Sequence, residues 1–283
     1  MTPQPQELPP APEPLPHPVV DNHCHLDVKR RADDPEPDPV AALARARAVG
    51  VPRIVQIGCS LPTARWSVEC ARAHEQIVAG VALHPNTAPR HAESGTLQAA
   101  YDEIAALAAD PSVRAVGETG LDYFRTPPGP GRQIQRDSFE WHIDLAKRLG
   151  KTLVIHDRDS HEDVLAVLDA VGAPQRWVMH CFSGDASFAE ACLDRGAYLS
   201  FAGTVTFGNA EDLRGAAAIT PSDRILVETD APYLTPVPYR GRTNASHLIP
   251  WTMRTLAEVR GADLGELCVA VESNTFEAFG GAW

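Results

Sequence analysis

Two imidazoles one residue apart, His23 and His25, close a short apolar run that begins at Val19 and Val20. In an extended segment positions i and i+2 face the same side, so both rings address one site. Further along, Glu118, His156, His180 and Asp230 each stand at or just beyond the end of a short apolar stretch, at residues 113–117, 152–155, 177–179 and 225–227. Neutral imidazoles and carboxylates are ligands for divalent cations. These six residues are more than one tetrahedral ion needs, which points to two ions sharing a bridging carboxylate. Glu118 is the expected bridge, with His23, His25 and Asp230 on one ion and His156 and His180 on the other. Such a pair lowers the pKa of bound water and stabilises charge developing on a phosphoryl or carbonyl oxygen, so the implied chemistry is metal-assisted hydrolysis. Asp230 is placed to hold or deprotonate that water as well as to bind metal.

For these residues to meet, their strands must open on a common face. The apolar stretches alternate with helical patterns over residues 40–49, 62–73, 96–109, 133–149, 161–171, 186–194 and a weaker one over 210–218, followed by segments at 249–260, 265–272 and 275–279. Near-continuous apolar strands separated by amphipathic helices indicate a parallel sheet covered by helices. Eight such alternations within 283 residues predict a single-domain α/β fold, a (β/α)8 TIM-type barrel. Its active site is expected at the C-terminal ends of the strands, which is where the candidate ligands fall. Residues 1–17, rich in Pro, Gln and Glu, are expected to form a flexible tail, with the hydrolase barrel over 18–283. Residues 119–131 are expected to be loop.

A hydrophobic content of 44% supplies a substantial core, and no run of 18 apolar residues suggests a membrane span. The six cysteines contain no CxxC pair and are expected to be reduced, mostly buried thiols of a cytoplasmic protein; a monomer is the separate expectation, with a small oligomer as the alternative. The net charge of -12 argues against a protein that wraps duplex DNA through a basic surface. It leaves a nuclease open, because bound cations can supply the positive charge where a phosphate must sit. No GxGxxG or Walker-type loop supports a nucleotide cofactor.

Around the expected mouth, His84 ends the third apolar stretch and is a candidate phosphate contact or proton donor, with packing as the alternative. Arg158 and Arg240 are candidate phosphate contacts, or else ion-pair partners; Asp122 and Asp230 are the carboxylates within expected reach of Arg158. Tyr233, Tyr123 and Phe182 are loop aromatics able to stack on exposed bases or to act as lids. Mixed imidazole and carboxylate ligation discriminates weakly among cations, so Mg2+ or Mn2+ is expected in function and Zn2+ is able to occupy the same ligands.

Taken together, His23-Cys24-His25-Leu26-Asp27, Gly117-Glu118-Thr119-Gly120-Leu121-Asp122, His156-Asp157-Arg158, His180-Cys181-Phe182-Ser183-Gly184 and Glu228-Thr229-Asp230-Ala231-Pro232-Tyr233-Leu234 resemble the TatD family of metal-dependent deoxyribonucleases, in the amidohydrolase-like group of barrels. The resemblance implies divalent-metal-dependent hydrolysis of DNA phosphodiesters, often from the 3′ end, with single-stranded DNA or DNA ends as substrate and a role in DNA repair or turnover. One departure is Asn86, which stands where the family's His84-Pro85 segment usually continues with a second histidine. The competing expectation is a hydrolase of lactones, amides or esters on the same barrel. Against it, Lys29, Lys147 and Lys151 all fall outside strand ends, so no lysine is placed to become a carboxylated bridge.

Overall fold

The computed structural model describes residues 8–30 and 36–283. Eight strands, β1 (Val20–Cys24), β2 (Arg53–Gly58), β3 (Ile77–Val81), β4 (Val113–Asp122), β5 (Thr152–Arg158), β6 (Trp177–Met179), β7 (Tyr198–Phe201) and β8 (Ile225–Val227), lie side by side in chain order, every neighbouring pair parallel. The sheet closes on itself through a parallel bridge between Cys24 and Ala231. There the Asp230 N–H donates to the His23 carbonyl at 2.9 Å and the His25 N–H to the Ala231 carbonyl at 2.7 Å. Among the described residues ten helices complete the alternation: α1 (Pro39–Arg47), α2 (Leu61–Ala73), α3 (Ala88–Glu93), α4 (Leu97–Ala108), α5 (Pro130–Leu149), α6 (His161–Val171), α7 (Ala186–Leu193), α8 (Glu211–Ile219), α9 (Ile249–Arg260) and α10 (Leu264–Ala278). This is the expected TIM-type barrel.

The period of two along each strand divides the core into two layers. Val20, Val55, Ile57, Val78, Ala115, Val154, Val178, Tyr198 and Leu226 form one buried cluster, drawn from every strand and joined by Ala278 and Phe279 at the end of α10. They are the barrel interior. The alternate residues, among them Ile54, Val81, Val116, Leu153, Trp177, Leu199 and Ile225, pack in the larger cluster that holds the helices. The next inward positions on five strands are therefore Asn22, His156, His180, Ser200 and Glu228, all polar. The interior turns from apolar to polar at that level, and the polar layer is the floor of the site.

Several boundaries differ from expectation for local reasons. β4 and β5 are longer than their apolar runs, because residues 119–122 pair with 155–158 instead of looping away. Gly120 permits this: it sits at φ +135°, and a Cβ there would lie 2.1 Å from the His156 carbonyl oxygen. The two expected C-terminal helical segments merge into α10, and α3 follows β3 where none was expected. The loose tail is corrected over residues 8–17. That stretch has no helix or strand but lies against the barrel, with Leu15 buried and its N–H donating to Val49 at 3.0 Å. His247 meets the Pro9 carbonyl at 2.9 Å, and the Arg254 guanidinium donates to the Glu13 carbonyl at 2.9 Å. Residues 1–7 lie outside the described residues. No helix among the described residues is long and apolar enough to cross a membrane.

Candidate metal centre

Glu118 is the hub of the site. Its Oε1 accepts from Nδ1 of His156 at 2.6 Å and lies 3.3 Å from Nε2 of His180 and 3.5 Å from Nε2 of His84. Its Oε2 lies 3.5 Å from Nε2 of His23, 3.9 Å from Nε2 of His25 and 3.4 Å from Sγ of Cys59. Asp230 reaches in from the barrel closure, with Oδ1 at 3.3 Å from His25 and 3.9 Å from His23. All six expected ligands therefore meet in one cluster, buried at His23, His25, Glu118 and His180 and half-buried at His156 and Asp230, and the half-buried His84 joins them. Their ligand atoms fall into four groups able to hold an ion: His23, His25 and Asp230; His23, Glu118 and His180; His25, Cys59 and Glu118; and His84, Glu118 and His156. The ring of His180 stacks on His23, with centroids 3.5 Å apart, and stands 6.3 Å from His156.

His25, His180 and His84 are each oriented from behind. His25 Nδ1 meets the Ile57 carbonyl at 3.0 Å, an acceptor, so Nδ1 carries the proton and the Nε2 lone pair faces the site. His180 Nδ1 meets Oε1 of the buried Glu228 at 2.8 Å. Glu228 also accepts from the Cys181 N–H at 3.1 Å and from Ser200 Oγ at 2.5 Å. Asn22 Nδ2 in turn donates to Ser200 at 2.7 Å and to the Val227 carbonyl at 2.6 Å. The polar floor is thus a hydrogen-bond chain whose donors converge on Glu228, and the carboxylate faces His180 from behind. His84 is turned the other way. Its Nδ1 accepts the Asn86 N–H at 3.0 Å, so the neutral ring carries its proton on Nε2, toward Glu118. The Asn86 side chain donates to Oδ2 of Asp122 at 2.6 Å, and the same oxygen lies 3.5 Å from Nε2 of His156.

The electrostatics follow from packing five imidazoles against two carboxylates in a largely buried space. Burial raises the Glu118 carboxyl, but His180, His84 and His156 more than offset it and hold the group well below the usual carboxylate range. Burial alone would depress His156, yet Asp122 and Glu118 bring it up to about 9. Burial, reinforced by the neighbouring His180, pushes His23 down. The fully buried His23 ring has neither nitrogen hydrogen-bonded, a costly state for a polar group in a protein interior. A divalent cation between His23 and its carboxylate neighbours would relieve it, so the residues present fit a metal.

Arg158, Arg240 and Tyr233 sit on the rim. The Arg158 guanidinium stacks on the ring of Phe124, 3.9 Å from its centroid, rather than on Asp122 or Asp230. Arg240 stacks in the same way on Phe207, at 4.0 Å. Tyr233 is 44% exposed, with its ring 6.4 Å from that of His25. Phe182 is buried in the core beside Phe188 and Phe201, and Tyr123 is tied through its hydroxyl to Asp163. Neither is a free stacking surface. Cys59, Glu228 and Phe124 are the neighbours that sequence reasoning passed over. Cys59 and Glu228 each lie two residues beyond an apolar residue, Ile57 and Leu226, whose inward register only the structure assigns.

The sequence matches the family model described as TatD related DNase over residues 20–280. It is 44% identical to the uncharacterized metal-dependent hydrolase TatD of Mycobacterium tuberculosis, over 94% of this chain and 99% of that one. It is 36% identical to the uncharacterized metal-dependent hydrolase YcfH of Escherichia coli, covering 92% and 95% of the two chains. Among solved structures, the TatD homologue YjjV of Escherichia coli superposes with a TM-score of 0.83 at 26% identity, covering 93% of this chain and 98% of that one. The match spans the whole barrel and every strand that feeds the Glu118 cluster, and the chain belongs to the TatD-related DNase family of metal-dependent hydrolases.

Proposed function

We propose that the protein hydrolyses DNA phosphodiester bonds with two divalent ions, Mg2+ or Mn2+, working as a 3′-5′ exonuclease on single-stranded DNA or DNA ends. The observation that carries this reading is the position of Glu118, which is shared by three of the four groups able to hold an ion. A bridging carboxylate between two cations is the arrangement that clamps the attacking and leaving oxygens of an in-line displacement at phosphorus. The bound ions would activate water and neutralise the phosphate. Asp230 Oδ1, facing His25 and His23, is placed to take the proton of the attacking water. His84 turns its Nε2–H into the site, where it can donate to a phosphate oxygen. The stacked Arg158 and Phe124 at the rim add a cationic, aromatic surface suited to an unpaired nucleotide. All six cysteines are free thiols, which supports a reducing cytoplasmic setting, and the reading takes the active unit to be a monomer.

The test uses protein stripped of metal and reconstituted separately with Mg2+, Mn2+ or Zn2+. Each form is given 3′- or 5′-end-labelled single-stranded DNA, duplex DNA, RNA, and a panel of lactones and N-acyl amino acids. Metal-dependent release of mononucleotides from the 3′ end is the expected result. Turnover of a lactone or amide without nucleotide release would replace this reading by the carbonyl-directed one.

A further inference from the structure

We propose that Cys59 is a ligand of the ion held at His25 and Glu118, and that its thiolate makes this position select Zn2+ over Mg2+ and Mn2+. The inference rests on the metal-dependent reading of the site and departs from it at one of the two positions, where a soft ligand puts Zn2+ in place of Mg2+ or Mn2+.

The geometry is that of a coordination shell. Sγ of Cys59 and Nε2 of His25 lie 3.4 Å and 3.9 Å from the same Glu118 oxygen, and the three ligand atoms all fall within 4.8 Å of one another. In a tetrahedral zinc site, bonds of about 2.0 Å to nitrogen or oxygen and about 2.3 Å to sulfur put neighbouring ligand atoms roughly 3.3–3.5 Å apart. Small side-chain movements would close the observed triangle around an ion. Asp230, 3.3 Å from the same His25 nitrogen, is available as a fourth ligand.

The surroundings are built for this role. Cys59 follows β2 at the inward position after Ile57, which aims its side chain into the barrel mouth. Its N–H donates to Thr63 Oγ1 at 2.9 Å, anchoring the residue to the first turn of α2. The Ile57 carbonyl, on the same strand, meets His25 Nδ1 and turns the Nε2 lone pair toward the thiol. Mg2+ and Mn2+ favour oxygen ligands, whereas a thiolate favours zinc. Binding releases the thiol proton to solvent. The bland alternative is that the thiol only donates a weak hydrogen bond to Glu118, a task a serine hydroxyl performs equally well.

Cobalt distinguishes the two. Metal-free full-length protein is titrated with Co2+ and followed by absorption, and Zn2+ and Mn2+ affinities are measured by calorimetry, for the wild type, Cys59→Ser and Cys59→Ala. The wild type should show a near-ultraviolet thiolate-to-cobalt charge-transfer band that both variants lack while they still bind cobalt. Both variants should lose about 10–100-fold in Zn2+ affinity with Mn2+ affinity unchanged. Thermal melting of the metal-free proteins checks the fold, and the alanine variant stands in if the serine variant is unstable. Cobalt bound without the band, or an unchanged ratio of Zn2+ to Mn2+ affinity in the variants, overturns the proposal and leaves the metal-dependent reading intact. No cobalt binding at all overturns both. A band lost in the variants together with an absence of DNA hydrolysis supports Cys59 as a ligand and overturns only the substrate.

Discussion

The Leu83 N–H donates to Nε2 of His142 at 3.1 Å, while His142 Nδ1 donates to the Ser138 carbonyl at 2.6 Å. A residue in the middle of α5 thus pins the backbone immediately before His84. The bond from Leu83 requires a neutral ring, because a protonated Nε2 cannot accept, and burial pushes His142 down to about 4.

The linkage has a definite sign. An unfolded histidine takes up a proton near 6.5, whereas His142 in the fold stays neutral to about 4. Between those values the unfolded chain binds more protons, so acidification through the window destabilises the protein, by up to about 3 kcal/mol from this residue. Urea denaturation of metal-free protein from pH 7 to pH 4 should show the loss, and His142→Gln should show a flatter pH dependence. Parallel curves for the two proteins would remove His142 as the cause.

Neutralising Glu118 is expected to disable the centre without unfolding the barrel. Glu118→Gln keeps the shape but removes the charge that faces His23, His84, His156 and His180. Metal content per chain should fall, and hydrolysis should drop by at least about 10²–10³-fold, the scale set by removing one preorganised group from a charged reaction centre. Full metal content with undiminished turnover would contradict the bridging role.

The barrel was legible because its strands are short apolar runs, each ending near a residue of unusual chemistry. The ligands at 23, 25, 118, 156, 180 and 230 needed no loop geometry to be placed on one face. Other features depended on knowing which way a strand faces. Cys59 and Glu228 belong to the inward register of β2 and β8, which cannot be assigned until Ile57 and Leu226 are known to point inward. Arg158 was expected to meet a carboxylate or phosphate, but the pairing that extends β4 to Asp122 carries Phe124 beside it, and the guanidinium stacks on that ring. Sequence spacing marks charge more readily than it marks which of several partners a long side chain will reach.

Glu228 is a positioning residue for His180. Because its Oε1 meets His180 Nδ1 at 2.8 Å, it orients the ring and keeps Nε2 directed at Glu118, where it would hold an ion. Glu228→Gln should weaken metal binding by about 10–100-fold, with a smaller effect for Ser200→Ala, which removes only the hydroxyl on the other carboxylate oxygen. Calorimetric titration with Mn2+ measures this directly. An unchanged affinity in Glu228→Gln would show that the ring is held by its stacking on His23 alone.

The rim is expected to act on the nucleotide and not on the chemistry. Phe124 is 62% exposed although its ring carries the Arg158 guanidinium; it follows β4, which ends at Asp122, and Arg158 closes β5 two residues after His156, beside the hub. A base stacked there would contribute about 1–3 kcal/mol, so Phe124→Ala should raise KM for single-stranded DNA by about 5–150-fold and leave kcat nearly unchanged. Turnover of bis(p-nitrophenyl) phosphate, which has no base to stack, should not change. An oligonucleotide made abasic at successive positions from its 3′ end then locates the contact. At one position the wild type should fall to the level of the variant, and the variant should be insensitive to the missing base. If Phe124→Ala slows the small phosphodiester as much as DNA, the residue supports the loop after β4 rather than the substrate, and recognition must come from the Tyr233 side of the mouth.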